Sequence, residues 1–512
     1  MSGGSVSLPN PPAARSAPVV TPRFRWPPVI VAALAIAGCV AIGATTADRP
    51  IIAVAGLVGL LLSLAAAIRP EVATLVVVFL LYSNAAVVAV TRFGAPLLIG
   101  AIVPMILVVP LGYELLIKRQ KVVITPAFPW IVVYFLVQIL GTLFARDVPA
   151  AAGELLNFVL EGLGLYLLVI NVVRTPAAMR HAVWTLLIVG ALLGGLSVYQ
   201  AATGTYANDY FGFAQSDATN DLGVNVGGDI ARLAGPIGEK NRYAQIMLML
   251  VPLALFQAWS ERRRLLRLAA YGVALVVSGA VILTFSRGAA VGFALVILLM
   301  TLLRYIKLYQ LAAVALVIAG LLIAVPQYAD RLTTLYAVVG AVTDSGSAIA
   351  ADNSVLSRAT ENLAALNVFS DHPIVGVGPG QFSSYYREYA DDIAISVKAE
   401  DRQAHNLYLS TAAETGTLGL ICFMAILLIT LWQLALARRR WVGRRTDLTN
   451  MVTGFGLAVA TYMTTGIFLH LSYIRYFWLV MALAGAAALM ALREPDPDGG
   501  DAIREAAARN RT

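Results

Sequence analysis

This sequence is short of charge. Asp, Glu, Lys and Arg together make up 13% of its 512 residues, about half the roughly 25% of a soluble domain. A water-facing surface for a chain this long cannot be built from so few charges, which excludes a string of soluble domains. Cysteine is almost missing. Cys39 and Cys422 both sit in apolar runs and read as small buried hydrophobes, which excludes a disulfide framework or a thiolate metal site. The four histidines show no metal-ligand spacing, and the chain has no phosphate-cradling P-loop, no dinucleotide glycine pattern and no repeat at a solenoid or transporter period. No cleavable signal peptide is expected, because the first apolar stretch is long enough to span and no small-residue cleavage site follows it.

What is abundant is apolar residues, at 59% of the chain, with a mean hydropathy of +0.77. The lipid bilayer is therefore the main solvent. The pattern predicts an all-α integral membrane protein of about twelve to fourteen transmembrane helices, each of roughly 20 residues. The candidate segments are 28–47, 51–68, 72–90, 96–117, 127–144, 152–173, 182–203, 241–259, 265–285, 288–304, 308–325, 406–437, 450–469 and 473–492. Lys and Arg recur at every second connection, as in Lys118/Arg119/Lys121, Arg174/Arg180, Arg262/Arg263/Arg264 and Arg438/Arg439/Arg440/Arg444/Arg445. The positive-inside bias then places both termini in the cytoplasm. The formal charge of +8 reads as this orientation signal, with no nucleic-acid partner.

Two connections on the opposite, outer side are long: 204–240, and 326–405 with amphipathic runs near 354–369 and 377–390 that predict short helices. Residues 1–27 and 494–512 read as cytoplasmic tails, the first disordered.

The costly residues of the outer side cluster in and beside these connections. Arg232 precedes the span that starts at Asn241. Arg287 sits in a tight turn with small neighbours Gly288, Ala289 and Ala290, so its side chain points into the protein or its outer cavity. His372 stands before Pro373, and His405 lies where the long connection becomes a span. The positive end of that helix favours an anion, and an imidazole there is suited to proton transfer near neutral pH. His181 and His470 read as structural, and Arg475 as an interfacial anchor that could also support the site. Glu154 and Glu161, seven residues apart, share a helix face, and Glu161 reads as the packing partner of a buried arginine or hydroxyl. Glu414 lies nine residues after His405, on the opposite face of an unbroken helix, so it is expected to bond to another helix.

Several arginines and one or two histidines, without a metal site, suit one chemistry. Arginine forks hold phosphate oxygens, and a histidine takes the proton from a hydroxyl nucleophile. A single base opposite the leaving group gives one displacement with inversion.

The segments Thr284-Phe285-Ser286-Arg287-Gly288-Ala289, His372-Pro373-Ile374-Val375-Gly376-Val377-Gly378-Pro379-Gly380, and His405-Asn406-Leu407 through Glu414-Thr415-Gly416 resemble, in order and spacing, the O-antigen ligase and O-antigen polymerase family. The run Gly235 to Ala244 resembles that family's helix start, with Lys240 where a proline is usual. The resemblance implies a GT-C-like glycosyltransferase of the bacterial inner membrane, with its active site on the periplasmic face. It implies an undecaprenyl-pyrophosphate-linked glycan as donor, no cofactor and no metal. His405 would be the catalytic base, with Arg232, Arg287 and His372 on the donor pyrophosphate and Glu414, Asn241 and Arg475 in support. The acceptor would be the lipid A core (ligase), another lipid-linked glycan (polymerase) or a protein hydroxyl, with ligase favoured. A polytopic lipid or glycan flippase is the rival of another class. It fits the span count, but not the absent repeat symmetry or the outer Arg/His cluster.

Overall fold

The computed structural model describes residues 70–96, 103–217, 232–307, 309–312, 316, 353–393 and 402–495. The expected segments 28–47 and 51–68, most of 308–325 and nearly all of both tails lie outside the described residues. Residues 97–102 of the segment 96–117 also lie outside them, and the described parts of the other expected segments are largely helical. In chain order the elements are α1 (Pro70–Tyr82), α2 (Ala85–Phe93), α3 (Val103–Ile117), α4 (Phe128–Leu143), α5 (Val148–Val172), α6 (Pro176–Thr203), β1 (Gln215–Asp217), β2 (Arg232–Gly235), α7 (Lys240–Ser260), α8 (Arg264–Ile282), α9 (Arg287–Leu302), α10 (Asn353–Asp371), α11 (Phe382–Ile393), α12 (Leu407–Trp441), α13 (Thr446–Thr465) and α14 (Ile474–Arg493). Among the described residues seven helices are long and apolar enough to cross a membrane, or eight if α1 and α2, bent by 56°, form one span. The chain is an all-α, multi-pass membrane protein. The one sheet among the described residues is an antiparallel ribbon pairing Ser216 with Leu233 and Asp217 with Arg232.

Polar residues at the helix starts fix where spans begin, since each start leaves backbone donors without partners. Thr175, Ser286 and Asn406 accept backbone N–H groups of α6, α9 and α12. Glu239 caps α7 by accepting from the backbone N–H groups of Asn241 and Arg242. Helices α7 and α14 are the most enclosed: α7 packs on α8 and α13, and α14 on α5, α12 and α13. The peripheral α8 turns Leu265, Leu268 and Leu275 outward, as lipid-facing surface permits.

Helices bend where they carry polar groups. At the α1–α2 bend Asn84 has a φ of +61°. It donates to the Pro236 carbonyl at 2.8 Å and accepts from Arg475 at 2.6 Å. Arg475 also pairs with Glu161 at 3.0 Å, within a π-helical turn of α5, Phe158–Gly164. This pair ties three distant segments together inside the bundle. Removing one partner of an enclosed ion pair leaves a charge without compensation, which costs about 3–5 kcal/mol. Arg475→Met therefore lowers the melting temperature in detergent sharply, and adding Glu161→Gln restores part of the loss. A single variant as stable as the wild type overturns this.

Helix α12 is not the continuous span its apolar run predicts. Gly416 breaks it, with φ +64° and ψ −167°. The connection between α10 and α11 fills the break. Val377 and Gly378 donate to the carbonyls of Ala413 and Glu414 at 3.0 and 2.9 Å, and Thr417 donates to Pro373 at 2.8 Å. Backbone groups freed inside a membrane protein need such partners. The pair α10–α11 is thereby seated on the start of α12.

Candidate active site

Helix α10 buries Ser357, Thr360, Glu361, Ala364, Ala365 and Val368, the three- and four-residue spacing of one helix face. Glu361 is the charged member of that stripe and is 1% exposed. A buried carboxylate needs partners, and Glu361 has them. His405 Nδ1 lies 2.6 Å from Oε2, Ser357 donates to Oε1 at 3.1 Å, and Arg402 stands 3.7 Å from Oε1. An ionised carboxylate only accepts, so Nδ1 carries a proton, and in the neutral ring that leaves Nε2 as the nitrogen with the lone pair. The His405 side chain is 26% exposed, which leaves the ring accessible. A carboxylate that fixes the tautomer and stabilises the imidazolium is the arrangement a general base needs.

The ring of His470 stands nearly perpendicular to that of His405, with centroids 6.0 Å apart. Arg242, 5% exposed, donates to the His470 carbonyl at 2.7 Å and to its Nδ1 at 2.9 Å. Arginine only donates, so His470 is neutral, with its proton on Nε2. Burial, then Arg242, then His405 hold its imidazole well below the ordinary value. Its sign for stability follows. The unfolded chain takes a proton at this residue below about pH 6.5 while the folded protein does not. Stability contributed here is complete above that pH and falls as pH drops, by up to about 1.4 kcal/mol per unit. His470→Gln flattens the acid side of the melting-temperature profile between pH 5 and 7; an unchanged slope overturns the assignment.

The Arg287 motif joins the same neighbourhood through packing. Arg232 donates from Nε and Nη2 to the carbonyls of Thr284 and Phe285, at 3.0 and 3.1 Å. It braces a turn in which Phe285 takes a φ of +52°. Ser286 caps α9, and Arg287 is the first residue of that helix. A methyl on Gly288 would meet Phe468 at 3.2 Å, so the start of α9 packs two residues from His470. The structure thus gathers His405, Arg287 and Arg232 at one end of the bundle.

The remaining sequence candidates have other surroundings. His372 closes α10, eleven residues beyond Glu361 and so about 16 Å along the helix axis. Its ring packs on Tyr385 at 5.7 Å, with Arg146 against Tyr385 at 3.7 Å. Asn241 donates to the Glu239 carboxylate at 2.9 Å, within the α7 cap. Glu414 bonds to the backbone of Gly380 and Phe382 at the start of α11. Arg475 is committed to Glu161 and Asn84. Sequence reasoning missed Glu361 and Arg242. The signal for Glu361 was a lone carboxylate on the apolar stripe of the 354–369 run. For Arg242 it was a charge at the head of a long apolar span.

The fold and site define a class: a multi-pass, all-helical membrane protein with a carboxylate-paired histidine at one end of its bundle. Residues 272–424 match the family model described as O-antigen ligase, about three tenths of the chain, and that match supports the O-antigen ligase family. The matched stretch carries Arg287, Glu361, His372, His405 and Glu414, while Arg232, Arg242 and His470 lie outside it. No curated protein matches the chain.

Proposed function

We propose that this protein transfers a glycan from a polyprenyl-pyrophosphate carrier to a hydroxyl acceptor, and that His405 is the general base. The observation that carries the reading is the 2.6 Å pair of His405 Nδ1 with Glu361, inside the stretch that matches the O-antigen ligase model. His405 Nε2 takes the acceptor's hydroxyl proton. The acceptor oxygen attacks the anomeric carbon, the bond from that carbon to the phosphate oxygen breaks, and polyprenyl pyrophosphate leaves with the electron pair. One displacement inverts the anomeric centre. Arg287, at the positive end of α9, holds the leaving pyrophosphate, with Arg232 keeping its turn in place. His372 contacts the donor further out.

The outer, periplasmic placement of this end is supported by the charges at the other. Helix α12 begins beside His405 and ends at Arg438, Arg439 and Arg440, and α7 begins beside Arg242 and ends before Arg262, Arg263 and Arg264. Arginine clusters of this kind mark cytoplasmic turns. The bacterial inner membrane, where undecaprenyl carriers present assembled glycans, fits this orientation. The lipid A core is the acceptor we favour, which makes the protein a ligase.

The test uses purified protein with an undecaprenyl-pyrophosphate glycan and a lipid A core acceptor. The expected outcome is glycan–acceptor product of inverted anomeric configuration with release of the carrier pyrophosphate, undiminished by EDTA. A retained configuration overturns the single displacement, and loss of transfer in EDTA overturns the metal-free mechanism. Movement of the intact carrier across a vesicle bilayer without bond cleavage overturns the transferase.

A further inference from the structure

At the end of the bundle away from His405, a cavity of about 650 Å³ opens between the 120–123 segment, the junction of α5 and α6, and the end of α14. Lys121, Arg174 and Arg493 line it together with an apolar floor that includes Ile170 and Leu489. Arg174 and Arg493 lie close enough to repel each other. Arg174 is held by neutral acceptors: the Asn171 carbonyl and Oδ1 at 2.6 Å each, Gln120 Oε1 at 2.9 Å and the Lys121 carbonyl at 3.0 Å. These bonds fix the guanidinium without cancelling its charge. Burial pushes its ionisation below the ordinary value; Glu114 opposes this, and Arg493 adds to it by repulsion. Among the described residues no carboxylate pairs with Lys121 or Arg493. The one acid in the lining, Glu494, is engaged at the rim, its carboxylate with Arg445 at 3.4 Å and its carbonyl with Arg440 at 2.9 Å.

The surroundings suit a bilayer interface. Val122 in the lining and Ile124 two residues further on are each more than half exposed. An anion that enters here must satisfy cations above and apolar surface beside them. A soluble anion meets the first condition only. A phosphate ester on an acyl chain meets both, and basic pockets between transmembrane helices on the cytoplasmic side suit such headgroups.

We propose that this cavity binds the phosphate headgroup of an anionic phospholipid, with Lys121 and Arg493 supplying the charge and Arg174 forming the fixed wall. The site is separate from the His405 end and does not depend on the transfer reaction. The test is lipid binding to the purified full chain in neutral detergent, by native mass spectrometry and by melting temperature, with phosphatidylglycerol, phosphatidylcholine and inorganic phosphate as probes. Phosphatidylglycerol is expected to bind and stabilise, with phosphatidylcholine and inorganic phosphate well behind. Lys121→Gln and Arg493→Gln each weaken phosphatidylglycerol about fivefold, from roughly 1 kcal/mol per cation at the surface. Both side chains are exposed, so lipid-free melting temperatures stay at the wild-type value. Equal binding of phosphatidylcholine, full stabilisation by inorganic phosphate alone, or unchanged affinity in both variants overturns the proposal.

Discussion

On the proposed function, replacing His405 with alanine is expected to remove glycan transfer almost completely, and replacing Glu361 with glutamine a smaller but large share of it. A positioned general base contributes about 10²–10⁴-fold to a rate. His405→Ala deletes that base and leaves only the binding groups around it, so the expected loss lies at the upper end of this range. Glu361→Gln keeps an oxygen that accepts from Nδ1, so the ring stays oriented. It removes the negative charge that stabilises the imidazolium formed as the acceptor loses its proton, and the expected loss is about 10²-fold. Both effects fall on kcat with the donor KM little changed, because neither group is assigned to the pyrophosphate. Carrier pyrophosphate release in purified, monodisperse variants measures this. Wild-type turnover in His405→Ala removes the base assignment. A Glu361→Gln variant whose loss lies wholly in donor KM removes the positioning role.

The difference between these residues in sequence and in space shows what could be read early. His405 was legible because a histidine where a polar connection turns into an apolar span has few neutral explanations. Glu361 was not singled out, because it lies 44 residues upstream inside a connection whose fold was open. Only the seating of α10 on α12 brings the carboxylate to the imidazole. The membrane class was legible from composition, since backbone groups in lipid leave few alternatives to helix. The Arg475–Glu161 pair joins residues 314 apart; the carboxylate's need for a cation was visible in α5, but not which cation. The family resemblance implies Arg232 as a pyrophosphate ligand. The structure shows it holding two carbonyls, since a turn with a left-handed phenylalanine requires bracing. Such backbone demands leave no trace in residue type.

The break in α12 was hidden for the same reason, because Gly416 lies inside an apolar run and reads as an ordinary helix glycine. Its backbone, φ +64° and ψ −167°, falls in a region open essentially to glycine alone. A methyl group there would overlap the backbone of Ile374 and Val375, and one on Gly376, whose φ is +73°, would overlap that of Glu414 and Thr415. Backbone cannot swing aside as a flexible side chain can. Gly416→Ala therefore carries both a conformational cost of about 1–3 kcal/mol and the separation of two hydrogen-bonded segments. The expected result is undocking of the 373–380 connection, loss of the α10 seat and loss of transfer at least as complete as in His405→Ala, with a melting temperature lowered further than in His405→Ala, which removes one partner of Glu361 but leaves the docked backbone intact. Gly443→Ala is the control. Its φ is +81°, yet nothing lies within 4 Å of the added methyl, so it bears the conformational cost without the collision, at the end of the bundle away from the site. It should melt slightly below the wild type and transfer normally. Limited proteolysis of the 373–380 connection, read beside melting and transfer, separates the cases. If Gly416→Ala is protected, stable and active, the seating of α10 and α11 on the broken helix is not what holds Glu361 against His405.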